Sequence, residues 1–513
     1  MIRTRSVVLK NIKNVAYGKI VFKDGQYGSS ITGIYGQNGS GKTAVVDAFS
    51  CACTLMRGQK LPPESVELVG PDSDEATIEL EFEISKSTSE SLGFTRDIGM
   101  EIADGMTFWA EYVFAFRKAG EGVALASESV SVKAEGLTRR TLVAYNREEG
   151  NAFRPQARWR ALRALAGSEA GLDLAFAQRS EERASSSLVF AAALESFAVA
   201  TRRAYKECSE GTGERKLSHA GQEAYEKTLR PLMDTVTLLR YYAINKLEVF
   251  DTTRGAALAF NTFALSAPTS SHTSWAAAGD AVSDGKSHMV DVFLPSDRTA
   301  VVPVSVYEEL VSTTKVENVV LGSIVPGLSI EIHKLNNETM DNGAPGVRIE
   351  VLSCRGTTRI PFHCESEGIK KIVSMLGRLM DVYGDDSACI VIDEADSGVF
   401  EFLLGELLEV LADHGKGQLI FTAHNLRALE CLPAGCLVFT TVNPRNRYIK
   451  FQGSGASNNL RNQYLRAINL GGQKEQVYEP TDELDMNAAF YQACNPQMAG
   501  FDELLSKIGA SNG

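Results

Sequence analysis

The sequence predicts an α/β protein built on a parallel-type sheet and interrupted by a helical arm. Three observations carry this prediction. Apolar strands alternate with helical stretches at both ends of the 513-residue chain. A glycine-rich loop stands between the first such strand and helix, at residues 36–43. The middle of the chain is rich in Ala, Arg, Glu and Leu at helical spacing. Composition agrees with a globular chain: 44% of residues are hydrophobic and 23% charged, which excludes collagen, mucin-like and fully disordered proteins. At about 150 residues per domain the length suits about three domains, or one large domain with an insertion.

The elements follow in order. Val7 to Ile12 starts a first strand, and Ser30 to Tyr35 is a short apolar strand. Ala44 to Leu55 has helical apolar spacing, and Thr77 to Ile84 alternates as a half-buried strand does. Met106 to Arg117 and Val123 to Lys133 flank turn residues and predict a hairpin. Residues 173–208 and 218–249 flank Cys208-Ser-Glu-Gly-Thr-Gly-Glu214 and predict a helical hairpin with arms of about 30 residues, about 45 Å. Pro231 should bend the second arm or mark its beginning. The Ser/Thr/Ala/Gly-rich stretch 251–290 reads as a mobile loop. Strands are expected at 301–311, 328–333 and 347–352, then helix at 368–383, strand at 387–393, helix at 400–414 and strand at 417–423.

Lys and Arg number 52 against 64 Asp and Glu, a net charge of −12. That excludes a surface coated in positive charge but permits a local basic face. Seven Arg lie between Arg139 and Arg163, and residues 442–474 hold Arg445, Arg447, Lys450, Arg461, Arg466 and Lys474 with no acid. Arg154, Arg158, Arg160 and Arg163 read either as contacts to duplex DNA or as a solvated helix face. The basic segment 442–474 could match the acidic tail by charge across a subunit contact. The nine cysteines form no C-x-x-C, so reduced thiols in a cytoplasmic protein are expected. No run of about 18 apolar residues predicts a membrane span.

Gly36-Gln-Asn-Gly-Ser-Gly-Lys-Thr43 fits G-x-x-x-x-G-K-[ST], in the required place between strand and helix. Such a loop folds its N–H groups around a phosphate, and the helix start adds a favourable field. Gly36, Asn38, Gly39, Ser40, Gly41, Lys42, Thr43 and Ala44 are therefore the candidates for binding ATP. Lys42 would bridge the β- and γ-phosphates, and the Thr43 hydroxyl would bind Mg²⁺. About 350 residues on, Ala388-Cys-Ile-Val-Ile-Asp-Glu394 is an apolar strand ending in two carboxylates. Asp393 is placed as a magnesium partner, and Glu394 as the general base for an attacking water.

The paired acids continue as Ala395-Asp396-Ser-Gly398, and the next strand ends in Phe421-Thr-Ala-His424-Asn. This order resembles the ATP-binding-cassette (ABC) ATPases of the SMC, RecF and OLD group. The resemblance implies that Asp396 belongs to the D-loop and that His424 is the switch touching the γ-phosphate. Glu365-Ser-Glu-Gly368-Ile-Lys-Lys371 resembles the signature motif of the compact bacterial members, with Ser366 and Gly368 facing the partner's γ-phosphate and Lys370 or Lys371 adding charge. Gln59 and Gln156 both remain candidates for the Q-loop. The implied fold is an ABC-type P-loop ATPase head split in sequence, with an inserted helical hairpin (a short coiled coil). Its expected parts are 1–150 and 326–475 for the head, 151–255 for the helical insertion, 256–325 for a mobile and mixed connection, and 476–513 for an acidic tail.

The short insertion resembles the ATPases of bacterial anti-phage systems such as PARIS and Septu. About 90 residues follow His424 and hold no D-x-D pair, so no OLD-type nuclease domain is expected. The resemblance then implies an ATP-hydrolysing sensor that forms a homodimer or higher homo-oligomer and controls a separately encoded effector, a nuclease or toxin, with DNA or a phage protein as trigger. A RecF-like DNA-repair clamp and an ATP-stabilised scaffold with little turnover are the alternatives.

Overall fold

The computed structural model describes residues 1–22, 30–85, 107–120, 122–134, 136–180, 184–210, 217–250, 257–264, 276–278, 288–295, 299–340, 343–450, 460–470, 474–479 and 482–494. The elements up to the first sheet's last strand are β1 (Ile2–Ile12), β2 (Val15–Val21), β3 (Ser30–Tyr35), α1 (Lys42–Met56), β4 (Glu75–Ser85), β5 (Thr107–Ala119), β6 (Gly122–Ala134) and β7 (Arg140–Asn146). The helical insertion holds α2 (Gln156–Ala166), α3 (Ser168–Arg179), α4 (Ala192–Ser209), α5 (His219–Ala224) and α6 (Arg230–Asn245). Then come β8 (Leu247–Phe250), β9 (Ala257–Ala264), β10 (Ala276–Ala278), β11 (His288–Pro295), β12 (Ala300–Pro303), α7 (Val304–Ile324), β13 (Leu328–Thr339), β14 (Pro345–Arg355) and β15 (Thr358–Pro361). The last part is α8 (Glu367–Gly384), β16 (Cys389–Ile392), α9 (Glu401–His414), β17 (Gln418–Ala423), α10 (Ala428–Cys431), β18 (Leu437–Thr440), β19 (Tyr448–Ile449), α11 (Leu460–Leu470) and α12 (Glu483–Cys494).

The sheet that positions the site runs β19-β18-β3-β17-β16-β8. Its pairs are parallel except β18 with β19. β3 thus lies between strands that follow it by almost 400 residues, so the head is assembled from both ends of the chain. Alternate residues face opposite ways: Ile34, Val391, Ile420 and Val438 join one core, while Ile31, Ile390, Leu419 and Phe439 join the other. Burial on both faces explains why these strands read as continuous apolar runs.

On one side, the six-stranded antiparallel sheet β2-β1-β4-β5-β6-β7 closes over α1. The helical insertion packs into the same core through Trp159, Leu194, Phe197, Leu232 and Tyr242. The Trp159 indole N–H donates to the Leu142 carbonyl at 3.2 Å, and its ring meets Phe153 edge-on at 4.7 Å. On the other side lie α7, α8, α9 and the small sheet β12-β14-β13 with β15 on β14.

Three expectations change. The helical insertion is present, but its first arm is α4, 18 residues or about 27 Å, not about 30 residues. The chain before it is drawn to the first sheet: Leu61 donates to the Ser185 carbonyl at 2.9 Å, Leu125 to the Ala184 carbonyl at 2.8 Å, and the Leu188 N–H to the Glu128 carboxylate at 2.8 Å. Pro231 opens α6, and the helix passes into it through one π-turn, Tyr225–Leu229. Residues 304–311 are helical rather than extended. The β-branched run hides the spacing Leu310, Thr314, Glu317 and Leu321 that α7 buries. The stretch read as loop contains β9, β10 and β11, which pair antiparallel. The rest of 251–290, and the tail beyond Cys494, lie outside the described residues.

Candidate nucleotide-binding site

The loop after β3 is shaped by what surrounds it. Gly39 and Gly41 have φ of +73° and +89°, a region open to glycine. A Cβ at Gly36 would lie 1.6 Å from the Thr440 hydroxyl oxygen and 2.8 Å from that of Ser40. Thr440, at the end of β18, donates to the buried Ser40 hydroxyl at 2.6 Å. The Tyr448 hydroxyl donates to the Gly41 carbonyl at 2.7 Å, and the Asn14 side-chain amide donates to the Gly39 carbonyl. The loop is therefore held from outside, with Asn38 and Gly39 exposed at its tip. Lys42 is buried, and its ammonium donates to the Gly36 and Gln37 carbonyls at 2.9 and 3.0 Å. Burial lowers its pKa, while Asp393, Glu394 and Asp396 act in the opposite direction. Thr43 is exposed and Ala44 buried at the start of α1. A cavity of about 200 Å³ beside the loop is bounded by Asn14, Gln37, Ser40, Thr441, Arg447 and Glu479.

β16 delivers the two carboxylates one strand beyond β17. The Thr422 hydroxyl, on β17, joins them: it donates to Asp393 and accepts from the Glu394 N–H at 2.8 Å. Glu394 has φ of +48°, and its side chain is exposed. Asp396 accepts from the His424 N–H at 2.8 Å and the Asn425 N–H at 2.5 Å, tying the turn after β16 to the end of β17. His424 itself is exposed.

Ser366 is the N-cap of α8, its hydroxyl accepting from the Ile369 N–H at 3.4 Å. Below it, buried Glu365 is clamped by the Arg355 guanidinium and the Ser353 hydroxyl, which together hold its carboxyl below the usual range. Gly368 packs on the next turn: a Cβ there would lie 2.2 Å from the Gly398 carbonyl oxygen. Lys370 pairs with Glu367 at 2.5 Å. Lys371 turns inward and donates to the Glu394 carbonyl.

The structure thus gathers Lys42, Asp393, Glu394 and Asp396 into one electrostatic cluster and sets Ser366 and Gly368 beside the Asp396 turn. The sequence reading missed Thr422, Thr440, Tyr448 and Asn14. For Thr422 and Thr440 the signal is the strand order, which places β17 and β18 on either side of β3; Tyr448 follows on β19, and Asn14 stands in the turn between β1 and β2. The basic segments are largely engaged internally. Arg447 is buried, donating to the Thr441 and Asn14 carbonyls at 2.6 and 2.5 Å. Arg154 pairs with Glu149, Arg163 donates to Gln178 at 3.0 Å, and Arg461 pairs with Glu430 at 2.8 Å. Arg160 is exposed. Among the described residues no helix is long and apolar enough to cross a membrane.

Residues 6–146 match the family profile described as an AAA domain. No curated protein matches the sequence. Similar solved structures include the Smc head domain of Pyrococcus furiosus with an extended coiled coil, bound to the C-terminal domain of ScpA. It shows 14% identity, a TM-score of 0.36, and coverage of 88% of this chain and 96% of that one. The SmcHead bound to the C-winged helix domain of ScpA shows 12% identity, a TM-score of 0.36, and coverage of 87% and 97%. The SMC head domain of Thermotoga maritima shows 13% identity, a TM-score of 0.33, and coverage of 88% and 100%. The glycine-rich loop after β3 and the paired acids after β16 thus stand on the two strands that flank β17 in one parallel-type α/β sheet that is split in sequence around a helical insertion, and the part that carries the loop matches an AAA domain.

Proposed function

We propose that this chain hydrolyses ATP in composite sites between paired heads, and that closure of the pair controls a separately encoded effector. One observation carries the first part: Lys42, after β3, and Asp393, Glu394 and Asp396, after β16, come together from two distant segments, near enough that all three carboxylates act on the Lys42 ammonium. The loop fits a polyphosphate. Its exposed tip at Asn38 and Gly39 leaves the backbone accessible, and its lysine ammonium donates to neutral carbonyl oxygens that a phosphate would replace.

In this reading the loop N–H groups and Lys42 bind the β- and γ-phosphates. Mg²⁺, held by the Thr43 hydroxyl and Asp393, would screen phosphate charge. Glu394 accepts the proton of the water that attacks the γ-phosphorus, as the bond to the β–γ bridging oxygen breaks and ADP leaves. His424, held by the Asp396 contact at its N–H, faces the γ-phosphate. Ser366 and the first N–H groups of the partner's α8 close the site from across the interface.

Phosphate release by the purified chain tests this directly. Wild type should turn over, Lys42→Ala should lose ATP binding, and Glu394→Gln should bind ATP without turnover. Lys42→Ala behaving as wild type would sink the reading. The effector part rests on the likeness to anti-phage ATPases. It is tested by co-expression with the product of the adjacent reading frame: Glu394→Gln should retain that product in ATP and wild type should release it. Retention that ignores both nucleotide and Glu394 counts against it.

A further inference from the structure

Lys371 is the second lysine of the signature-like segment, where its expected task is to face a partner's phosphate. The structure gives it another. Its ammonium donates to the backbone carbonyl of Glu394 in the same chain. Lys370, next to it, pairs instead with Glu367 at 2.5 Å. The base of α8 is locked in this orientation because Gly368 packs on Gly398, leaving no room for a Cβ at 2.2 Å from the Gly398 oxygen.

Glu394 needs such a partner. It sits at φ +48°, a left-handed conformation that a residue with a Cβ adopts at a cost and keeps when its surroundings over-determine it. Here its N–H is held by the Thr422 hydroxyl at 2.8 Å, and its C=O accepts from the Ser397 N–H at 3.0 Å and from the Lys371 ammonium. Both backbone polar groups are thus engaged, the turn to Ser397 closing on the carbonyl and Lys371 adding the one charged contact from α8, while the carboxylate is exposed.

We propose that Lys371 is a positioning residue for hydrolysis that acts in cis, orienting the Glu394 of its own chain rather than binding the partner's nucleotide. This rests on the ATPase reading above. Lys371 is half-buried, with Asp396, Glu394 and Asp393 as its neighbouring charges. An ammonium so placed links the start of α8, which in the composite-site reading closes on the partner's nucleotide, to Glu394 of the same chain.

The test uses full-length Lys371→Met and Lys371→Arg. Lys371→Met should bind ATP within about threefold of wild type and hydrolyse it at least about tenfold more slowly. Lys371→Arg, which keeps the donor, should restore most turnover. Mixing then separates cis from trans. A signature residue acts in trans, so Ser366→Arg mixed with Glu394→Gln should recover about a quarter of wild-type activity, from one intact site in each heterodimer. Lys371→Met mixed with Glu394→Gln should recover none, because each site lacks either Glu394 or the lysine that aims it. Recovery in that mixture overturns the proposal. So does Lys371→Met with wild-type turnover, or with ATP binding lost. An inactive wild type, or a Ser366→Arg control that fails to recover, would instead strike the composite-site reading, and this inference with it.

Discussion

Thr422→Val replaces a hydroxyl by a methyl of nearly equal size at a fully buried position. It deletes the bond donated to Asp393 and the 2.8 Å bond accepted from the Glu394 N–H. A buried polar group left without its partner costs about 1–3 kcal/mol. Asp393 is half-buried and Glu394 exposed, so water recovers part of the loss, and the net expectation is about 2–3 kcal/mol. In a cooperative unit of about 400 residues, whose unfolding entropy is about 0.8 kcal/mol/K, this lowers Tm by about 2–4 °C. The effect on chemistry should be larger than on binding. The phosphate loop and Lys42 are untouched, so ATP affinity should stay within about threefold, while kcat falls at least about tenfold because Glu394 loses its N–H anchor. Thermal melting with phosphate release over a range of ATP concentrations reads both numbers. Thr422→Ser, which keeps the hydroxyl, should turn over near wild type. Thr422→Val with an unchanged Tm and unchanged kcat would refute the claim that this hydroxyl organises the carboxylate pair.

Gly36→Ala should abolish ATP binding, since its Cβ would meet the Thr440 hydroxyl at 1.6 Å; isothermal titration showing wild-type affinity would contradict this. Glu317, buried on α7, has its carboxyl pushed up to about 7 by burial, with Arg378 opposing and Asp381 adding to the rise. A carboxyl raised in the folded state contributes stability present below its unfolded pKa and lost as pH rises through the folded one, about 2 kcal/mol between pH 5 and 8. Glu317→Gln should therefore raise Tm more at pH 8 than at pH 5, and an equal shift at both would count against it. Lys371→Met is expected to separate turnover from ATP affinity, as set out above.

What the sequence could show was local. The phosphate loop and the Asp393–Glu394 pair are legible because each occupies one short segment with a fixed chemical pattern. The parallel sheet follows from apolar strands such as Gln418–Ala423, buried at every position. Thr422 and Thr440 were not legible, because they become site residues when β17 and β18 flank β3, and Tyr448 because β19 then pairs with β18; a sequence does not print strand order. α7 was misread because Val304, Val306 and Val311 favour strand while its buried spacing is helical. The first insertion arm was overestimated because composition does not reveal that Ser185 and Leu188 bond to other segments. The direction of Lys371 was not legible either, because it follows from the contact of Gly368 with Gly398.

The central claim is that two copies of this head close on ATP. Light scattering of Glu394→Gln with Mg²⁺ and either ATP or ADP tests it most directly. The account requires an ATP-dependent increase in mass by association of heads, absent with ADP and absent in Lys42→Ala. An identical mass in ATP, in ADP and without nucleotide, from protein shown to bind ATP, would contradict it.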